Sequence, residues 1–240
     1  MISFRMRRVA DAIFAAVLST LAAYPITAAT QPTKSEDGKP YFGGVWLIEN
    51  APRELKTLAG KAPPLKPEAA ALYTKRKQAK SADDPNAQCL PHGVPRLLTA
   101  SHPIQILQKP KQISVVYEAN HQSRMFYLNE PVPTGDDYPD PTYLGTSVAH
   151  WNGNALLVDT VGFNDRTWLD DSGLPHSDAL QVAERYELAG PDRLRVTVTI
   201  TDPKTFTVPW QTQITYKRQP NLRLKEDPCA EKLWTPPPPT

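Results

Sequence analysis

The densest group of residues that could do chemistry lies between positions 162 and 178. This stretch contains Asn164, Asp165, Arg166, His176 and Asp178, whose side chains hydrogen-bond or titrate. It connects two predicted strands, and connections longer than about 12 residues in compact domains are often lids or binding loops. The alternative is a structural loop in which the Asn and Asp side chains form turns. The composition favours one wall of a functional site.

His176 is the strongest candidate for acid–base catalysis, because an imidazole with a pKa near about 6.5 exchanges protons at neutral pH. Alternate residues of an extended chain share a face, so Asp178 can orient His176 while the serine between them points away. A Ser-His-Asp triad from this tripeptide is therefore disfavoured, and the chain has no Gly-x-Ser-x-Gly motif. We expect Asp165 or Asp178 to orient the ring. Arg166 or Arg124 would stabilise the negative charge that develops on a substrate.

A second group lies on the strand that follows this loop. Glu184 is in phase with Val182 and Tyr186, which predicts a carboxylate on the inward, apolar face. A carboxylate on such a face must be paired or have a raised pKa. Arg124, in phase with Phe126 on an earlier strand, is the expected partner. The pair is either a structural part of the wall or a polar anchor or base that faces a ligand.

Aromatic residues are numerous enough on the strands and the long loop to line a pocket, and a barrel of this size can hold one small ligand. The remaining histidines stand at no metal-ligand spacing, so we expect no metal, although ligands brought together from separate strands would leave no such spacing. Acid–base chemistry of this kind requires no organic cofactor, and we expect none. The residues predicted to be catalytic are His176, Asp165, Arg166, Asp178 and Glu184. Those predicted to bind the substrate are Arg124, Asn164, Trp168, Tyr186, Tyr117 and Phe126.

Nine stretches of the chain predict strands. The clearest covers residues 193–201, where four aliphatic residues alternate with polar ones. Asn152-Gly153 and Gly190-Pro191 supply turns for two hairpins. One short helix is predicted from Pro67 to about Lys80. Sequential strands joined by turns predict a mostly β fold, an antiparallel barrel with one short N-terminal helix. The predicted strands are 44–49, 103–108, 112–118, 123–129, 147–151, 155–161, 179–188, 193–201 and 211–218.

Two resemblances add to this interpretation. Gly44-Val45-Trp46 resembles the Gly-x-Trp signature of lipocalins, which implies a lipocalin-like (calycin-type) barrel with Trp46 plugging one end. It also implies that an arginine of a late strand, here Arg218, lies over that tryptophan. Residues 89–96, 145–151, 159–168 and 174–180 resemble an uncharacterised family of secreted proteins from environmental bacteria. The second resemblance implies secretion and a lipocalin-like barrel, and it transfers no catalytic residue.

Residues 1–29 have the order of a secretory signal peptide. Arg5, Arg7 and Arg8 precede a short apolar core, and Ala28 and Ala29 supply the small residues that cleavage requires. The apolar run is shorter than the roughly 20 residues needed to span a bilayer. We therefore expect a periplasmic or secreted protein with no membrane span after cleavage. A linker at 30–40, a single barrel domain at 41–234 and a Pro-rich tail at 235–240 would follow the signal.

Loss of the signal peptide changes the charge balance. The chain has 27 basic and 25 acidic residues, of which the signal holds three and one, so the mature chain has 24 of each. Nucleic-acid binding normally needs a basic footprint, and we expect no nucleic-acid partner. Two cysteines, Cys89 and Cys229, remain. In an oxidising compartment an isolated pair favours a disulfide over a catalytic or metal site.

The leading hypothesis is a secreted, cofactor-independent enzyme of the lyase, isomerase or cyclase type. It would apply acid–base chemistry to a hydrophobic or aromatic small molecule bound in the barrel. The alternative is a periplasmic lipocalin-like carrier that binds a lipophilic ligand without changing it. The titratable residues of the long loop favour the enzyme. The two hypotheses differ in geometry, since the enzyme requires His176, Arg166 and Glu184 around one cavity.

Overall fold

Nine strands form a closed β-barrel in the computed structural model, which describes residues 33–80 and 82–229. The predicted signal peptide and the Pro-rich tail lie outside these residues. Each predicted strand is present, within two residues of its predicted bounds. The strands are β1 (Gly44–Ile48), β2 (Ile104–Gln108), β3 (Gln112–Tyr117), β4 (Ser123–Leu128), β5 (Thr146–Asn152), β6 (Ala155–Val161), β7 (Gln181–Leu188), β8 (Arg193–Thr201) and β9 (Trp210–Arg218).

The barrel is mixed rather than purely antiparallel. Neighbouring strands run antiparallel, and β1 closes on β9, but β4 and β5 run parallel, with Phe126 opposite Ser147. The prediction of an antiparallel barrel is wrong at this one pair. The reason is the connection: residues 129–145 form a long crossover instead of a tight turn, and they return the chain to the end of the barrel at which β4 began.

Strand alternation places the hydrophobic core inside the barrel. In β8, Leu194, Val196, Val198 and Ile200 are fully buried, whereas the residues between them are partly exposed. The turn between β5 and β6 contains Gly153 at a φ of 60°, the left-handed conformation that a two-residue hairpin turn requires. The hairpin predicted at this position is confirmed.

Trp46 closes one end of the barrel. Its indole is 0% exposed and donates a hydrogen bond of 2.8 Å to the Phe42 carbonyl. The Arg218 guanidinium lies 4.0 Å from the indole ring centroid and donates to the carbonyls of Gly43 and Tyr41. The placement of Arg218 over Trp46, which the lipocalin resemblance implies, is confirmed.

The other end of the barrel is covered by a long loop and a short helix. The β5–β6 hairpin lies at the Trp46 end, because Trp151 packs 5.4 Å from Phe42. The β6–β7 connection at 162–180 therefore lies at the opposite end, and we call it the cover loop. It contributes the buried residues Phe163, Leu169 and Leu174 to the core. Helix α2 (Arg96–Thr99), which precedes β2, covers the same end.

The helices are short. The predicted helix is confirmed as α1 (Pro67–Gln78), which begins at its proline and buries none of its residues. The prediction of a single helix is wrong, because α2 is a second one. Four residues are too few to show a helical period in sequence, and α2 is held by burial of all four. Among the described residues, no helix is both long and apolar enough to cross a membrane.

A disulfide links the chain ahead of α2 to the C-terminal segment. Cys89 and Cys229 are bonded across a sequence separation of 140 residues, as predicted. A crosslink that closes so long a loop stabilises the fold by restricting the unfolded chain.

Candidate functional site

An ion pair lies inside the barrel, between β4 and β7. The Arg124 guanidinium donates hydrogen bonds of 2.9 and 2.8 Å to the two carboxylate oxygens of Glu184, and the side chains are 1% and 0% exposed. Arg124 also donates to the hydroxyls of Ser147 (3.1 Å) and Thr160 (3.0 Å), which bond to each other. The predicted Arg124–Glu184 contact is confirmed. It forms because both residues alternate in phase with the apolar residues of their strands.

Aromatic residues surround this ion pair. The guanidinium carbon of Arg124 lies 4.9 Å from the Phe126 ring centroid, and the Phe126 and Tyr186 rings pack at 5.8 Å. The charges of Arg124 and Glu184 act on the pKa of Tyr186 and on that of Tyr117. Four predicted substrate-binding residues thus lie together with Glu184. We define the interior polar cluster as Arg124, Glu184, Ser147, Thr160, Tyr117 and Tyr186.

Three atoms of the interior polar cluster make no hydrogen bond of normal geometry: Arg124 Nε and the hydroxyl oxygens of Tyr117 and Tyr186. The Tyr117 hydroxyl lies close enough to the Arg124 guanidinium for a weak hydrogen bond between them to oppose the effect of burial on the Tyr117 pKa. Leaving a buried polar group unpaired costs about 1–3 kcal/mol, so such atoms are rare. The hydroxyl of Tyr216, which is equally buried, instead donates to the Leu98 carbonyl. The interior polar cluster therefore offers hydrogen bonds that the protein itself does not use.

The interior polar cluster is neutral overall. Burial alone would lower the pKa of Arg124, but the Glu184 carboxylate outweighs this effect and raises that pKa well above its usual value. Burial raises the pKa of Tyr117 to about 12 and the pKa of Tyr186 well above its usual value. Both hydroxyls therefore keep their protons at neutral pH, while the positive charge of Arg124 is matched by Glu184.

The interior polar cluster lies towards the covered end of the barrel. Ser147 is the second residue of β5 and Thr160 the last but one of β6, at the strand ends that meet the cover. A cavity of 580 Å³ lies elsewhere, between residues 52–58 and β9. Four further cavities of 310 to 420 Å³ are also lined without any residue of the cluster, within the part of the chain that is described. None of these five cavities reaches the interior polar cluster.

His176 is held in the cover loop by hydrogen bonds at both ring nitrogens. Nδ1 donates to the Ser177 carbonyl at 3.0 Å, and Nε2 accepts from the Thr167 hydroxyl at 2.7 Å. The residue is 8% exposed, and burial lowers the pKa of His176, so the neutral ring is favoured. A neutral imidazole in such a place fixes the loop, and its lone pair is engaged by Thr167.

The other predicted catalytic residues of the cover loop lie apart from the interior polar cluster. Asp178 is exposed and forms an ion pair of 2.6 Å with Lys204 rather than the predicted contact with His176. Asp165 and Arg166 are also exposed, although the Asp165 carboxylate is near enough to His176 to act on its pKa. Asn164 accepts a hydrogen bond from the Arg166 backbone N–H, which is the turn-forming alternative for this residue.

Trp168, predicted to bind the substrate, packs between the cover loop and two arginines. Its ring is 1% exposed, and the guanidinium carbons of Arg76 and Arg96 lie 5.0 and 5.6 Å from its centroid. Arg96 is itself fixed by a bidentate bond to Asp84 and a bond to Asp171, all of 2.7 Å. These contacts occupy Trp168 within the protein and outside the interior polar cluster.

Two buried aspartates organise the cover loop: Asp170, which belongs to the turn-forming alternative for this loop, and Asp202, which the sequence did not indicate. Asp170 is 0% exposed and accepts four hydrogen bonds, from the backbone N–H of Leu55, Ser172 and Leu174 and from the Ser172 hydroxyl. Asp202, on the β8–β9 connection, accepts both the backbone N–H and the hydroxyl of Ser177. The spacing of Asp170 and Ser172 fits an Asx turn and was the available sequence signal.

The predicted site residues thus fall into separate places. Glu184 lies in the interior with Arg124, Tyr117, Phe126 and Tyr186, whereas His176 and Trp168 are enclosed in the cover and Asp165, Arg166 and Asp178 are on its surface. Among residues 33–80 and 82–229, no group of three or more His, Cys, Asp or Glu side chains is placed to hold a metal ion.

No family model matches the sequence, and no curated protein matches it either. Among solved structures, the chain is similar to a REP1-NXSQ fatty acid transporter, with 13% identity over 75% of this chain and 97% of that chain. It is also similar to a mutant of the fluorescent protein UnaG, with 16% identity over 74% and 96%. A secretary abundant heat soluble protein from Ramazzottius varieornatus has 13% identity over 74% and 95%. The TM-score is 0.35 in each case, and likenesses this weak imply nothing about what this chain binds.

Proposed function

We propose that this protein is a lipocalin-like binding barrel that takes up a small, mostly hydrophobic molecule in its interior without changing it. The observation that carries the proposal is the set of unpaired atoms in the interior polar cluster, Arg124 Nε and the hydroxyls of Tyr117 and Tyr186. A ligand that supplies hydrogen-bond partners to these atoms removes their penalty and gains apolar contact with the surrounding core.

A purely structural role does not account for the interior polar cluster. Replacing a buried ion pair with apolar side chains of similar volume is often neutral or stabilising by about 1–4 kcal/mol. The Arg124–Glu184 pair is essentially unexposed, and the residues opposite it on the neighbouring strands include the buried valines Val115, Val158 and Val198. Buried polar groups that weaken a core and leave donors unpaired are typical of a binding site.

Binding without catalysis is favoured over the acid–base enzyme. The enzyme requires a proton-transfer residue beside the ligand, but both ring nitrogens of His176 are hydrogen-bonded within the cover loop. Asp178 is engaged by Lys204 at the surface. Both carboxylate oxygens of Glu184 accept hydrogen bonds from Arg124, so neither is free to take a proton from a ligand.

We also propose that the protein works outside the cytoplasm, as a periplasmic or secreted member of the environmental-bacterial family that its sequence resembles. The proposal rests on the signal-like order of residues 1–29. The Cys89–Cys229 disulfide supports it, since structural disulfides persist in oxidising compartments.

The binding proposal is tested by titrating the chain without residues 1–29 with the neutral fluorescent probe N-phenyl-1-naphthylamine. We expect saturable binding at one site. Two variants locate that site: Arg124→Met combined with Glu184→Leu in the interior, and Leu58→Asp beside the 580 Å³ cavity, where Leu58 is 56% exposed.

The double variant Arg124→Met/Glu184→Leu should change the dissociation constant of the probe by about tenfold or more, because two of the residues that contact the probe are replaced. Leu58→Asp should leave it unchanged. The opposite pattern, or the absence of saturable binding, would contradict the proposal.

A further inference from the structure

The interior polar cluster has a specific chemical preference, and the inference drawn from it rests on the proposed function. We propose that the ligand carries an uncharged oxygen acceptor, such as a ketone, ester or ether oxygen, and that the site rejects ionised carboxylates. Two independent features of the cluster lead to this: which hydrogen-bonding groups are left unpaired, and how the charge of Arg124 is already balanced.

The unpaired groups are complementary to an acceptor. The Nε atom of Arg124 carries a hydrogen and can only donate. The hydroxyls of Tyr117 and Tyr186 remain protonated, since burial raises their pKa values. Apart from the two tyrosine oxygens, the acceptors of the cluster are engaged: both Glu184 oxygens and the hydroxyls of Ser147 and Thr160 bond to Arg124. Donors therefore predominate among the groups that remain. A ligand oxygen with two lone pairs matches what remains.

The charge balance disfavours an anion. Arg124 and Glu184 are the two charged side chains among the buried residues of strands β1 to β9, within the described chain. The guanidinium already bonds both Glu184 oxygens, so a carboxylate ligand would bring a second negative charge beside the first with no additional cation. Like charges at short distance in a medium of low dielectric constant repel strongly. A neutral oxygen avoids this repulsion.

The test uses ligands that share one aromatic skeleton and differ in the polar group. 2-Acetylnaphthalene carries a ketone, 2-naphthoate a carboxylate and 2-ethylnaphthalene no oxygen, and their dissociation constants are measured by competition with N-phenyl-1-naphthylamine. We expect the ketone to bind about tenfold or more tightly than the carboxylate, and several-fold more tightly than the hydrocarbon, as one or two neutral hydrogen bonds imply.

Three variants identify the groups responsible. Tyr117→Phe and Tyr186→Phe should each reduce the preference for ketone over hydrocarbon by about threefold, because each removes one donor. Tyr216→Phe is the matched control and should leave the preference unchanged, since the Tyr216 hydroxyl donates to the Leu98 carbonyl. Glu184→Gln removes the opposing negative charge while keeping the shape, and it should reverse the preference in favour of the carboxylate.

The pH dependence of the unmodified protein provides a test that no folding defect can obscure. If the site accepts only the neutral acid, each decrease of one pH unit should raise the apparent affinity for 2-naphthoate roughly tenfold, as long as the pH stays above the pKa of the ligand. A carboxylate that binds as tightly as the ketone, with an affinity independent of pH, overturns this inference and leaves the proposed function intact. Failure of all three ligands to displace the probe overturns both.

Discussion

The barrel interior and the cover loop both bury polar groups, but they differ in how completely those groups are paired. In the cover loop, Asp170 accepts four hydrogen bonds, and His176 uses both ring nitrogens. In the interior polar cluster, Arg124 Nε and two tyrosine hydroxyls make no hydrogen bond of normal geometry. The buried polar residues of the cover loop are thus committed to the structure of the loop, whereas those of the interior polar cluster are only partly paired.

This difference indicates where a ligand is expected. Loop residues such as Asp170 satisfy the backbone N–H groups that a buried irregular segment would otherwise leave unpaired, and this is a structural requirement. Strand residues have their backbone groups satisfied by the sheet, so a polar side chain on the inward face of a strand has no such duty. Several unpaired polar atoms grouped beside an ion pair on inward-facing strand positions are therefore a stronger indication of binding than the carboxylates of the cover loop.

The largest effect is expected from breaking the interior ion pair on one side. Arg124→Met leaves Glu184 buried without a counter-charge and should lower the free energy of unfolding by about 3–5 kcal/mol. The double variant Arg124→Met/Glu184→Leu should recover to within about 1 kcal/mol of the unmodified protein or exceed it, because both charges are gone. Chemical denaturation measures both. A double variant as unstable as the single one would show that the pair is structural and would weaken the comparison.

Removal of a cover-loop carboxylate should have the next largest effect. Asp170→Ala leaves three backbone N–H groups without an acceptor and leaves the Ser172 hydroxyl only Tyr73 as a partner, and it should destabilise the protein by about 2–4 kcal/mol. Asp165→Asn, exposed in the same loop, is the control and should change stability by less than about 0.5 kcal/mol. The ketone-over-carboxylate preference should survive Asp170→Ala. Its loss would show that the two regions act as one site.

Lowering the pH should destabilise the protein, because it protonates buried histidines whose ring nitrogens accept hydrogen bonds. Burial lowers the pKa of His92 to about 4, and its Nδ1 accepts hydrogen bonds from Gln122 and Asn86. Because the folded pKa lies below that of the unfolded chain, the unfolded state binds more protons, and stability present above pH about 6.5 is lost as pH falls towards about 4. His92 should contribute a loss of about 2 kcal/mol between about pH 7 and about pH 5.

The variant His92→Asn, whose side-chain oxygen can replace the acceptor, should remove that part of the pH dependence measured by denaturation. His150→Gln, at an exposed position of β5, should leave the dependence unchanged. His176, whose pKa is also lowered by burial, adds to the loss in the same direction. An unchanged slope in His92→Asn would contradict this account.

Much of the fold could be predicted from the sequence because local patterns decide it. Alternation fixed the strands to within two residues, as in β8, and the phase of Arg124 and Glu184 predicted their contact. What failed depends on long-range packing. The parallel pairing of β4 with β5 follows from the path of residues 129–145, and α2 forms only because its surroundings bury it.

The contacts of the candidate site residues follow less directly from the sequence, for a physical reason. The titratable residues of the cover loop suggest chemistry, but the sequence does not show whether a carboxylate already has a partner. Asp202 is separated from its partner Ser177 by 25 positions in the sequence. Asp178 forms an ion pair with Lys204, which is a similar number of positions away. On strands, by contrast, the face of each residue is set by parity, so Tyr117, Phe126 and Tyr186 could be assigned to the interior.

The smallest predicted effect is the most direct test of the comparison, because it concerns single hydroxyl groups in three buried tyrosines. Tyr117→Phe and Tyr186→Phe remove hydroxyls that make no hydrogen bond of normal geometry, so each should leave the free energy of unfolding unchanged or raise it by about 1 kcal/mol, the lower end of the penalty for an unpaired buried group. Tyr216→Phe removes a hydroxyl that donates to the Leu98 carbonyl and should lower stability by about 1–2 kcal/mol. If all three variants are equally destabilised in denaturation experiments, the hydroxyls of Tyr117 and Tyr186 are satisfied in the ligand-free protein. The interior would then be as fully paired as the cover loop, and the reason for placing the ligand there would be lost.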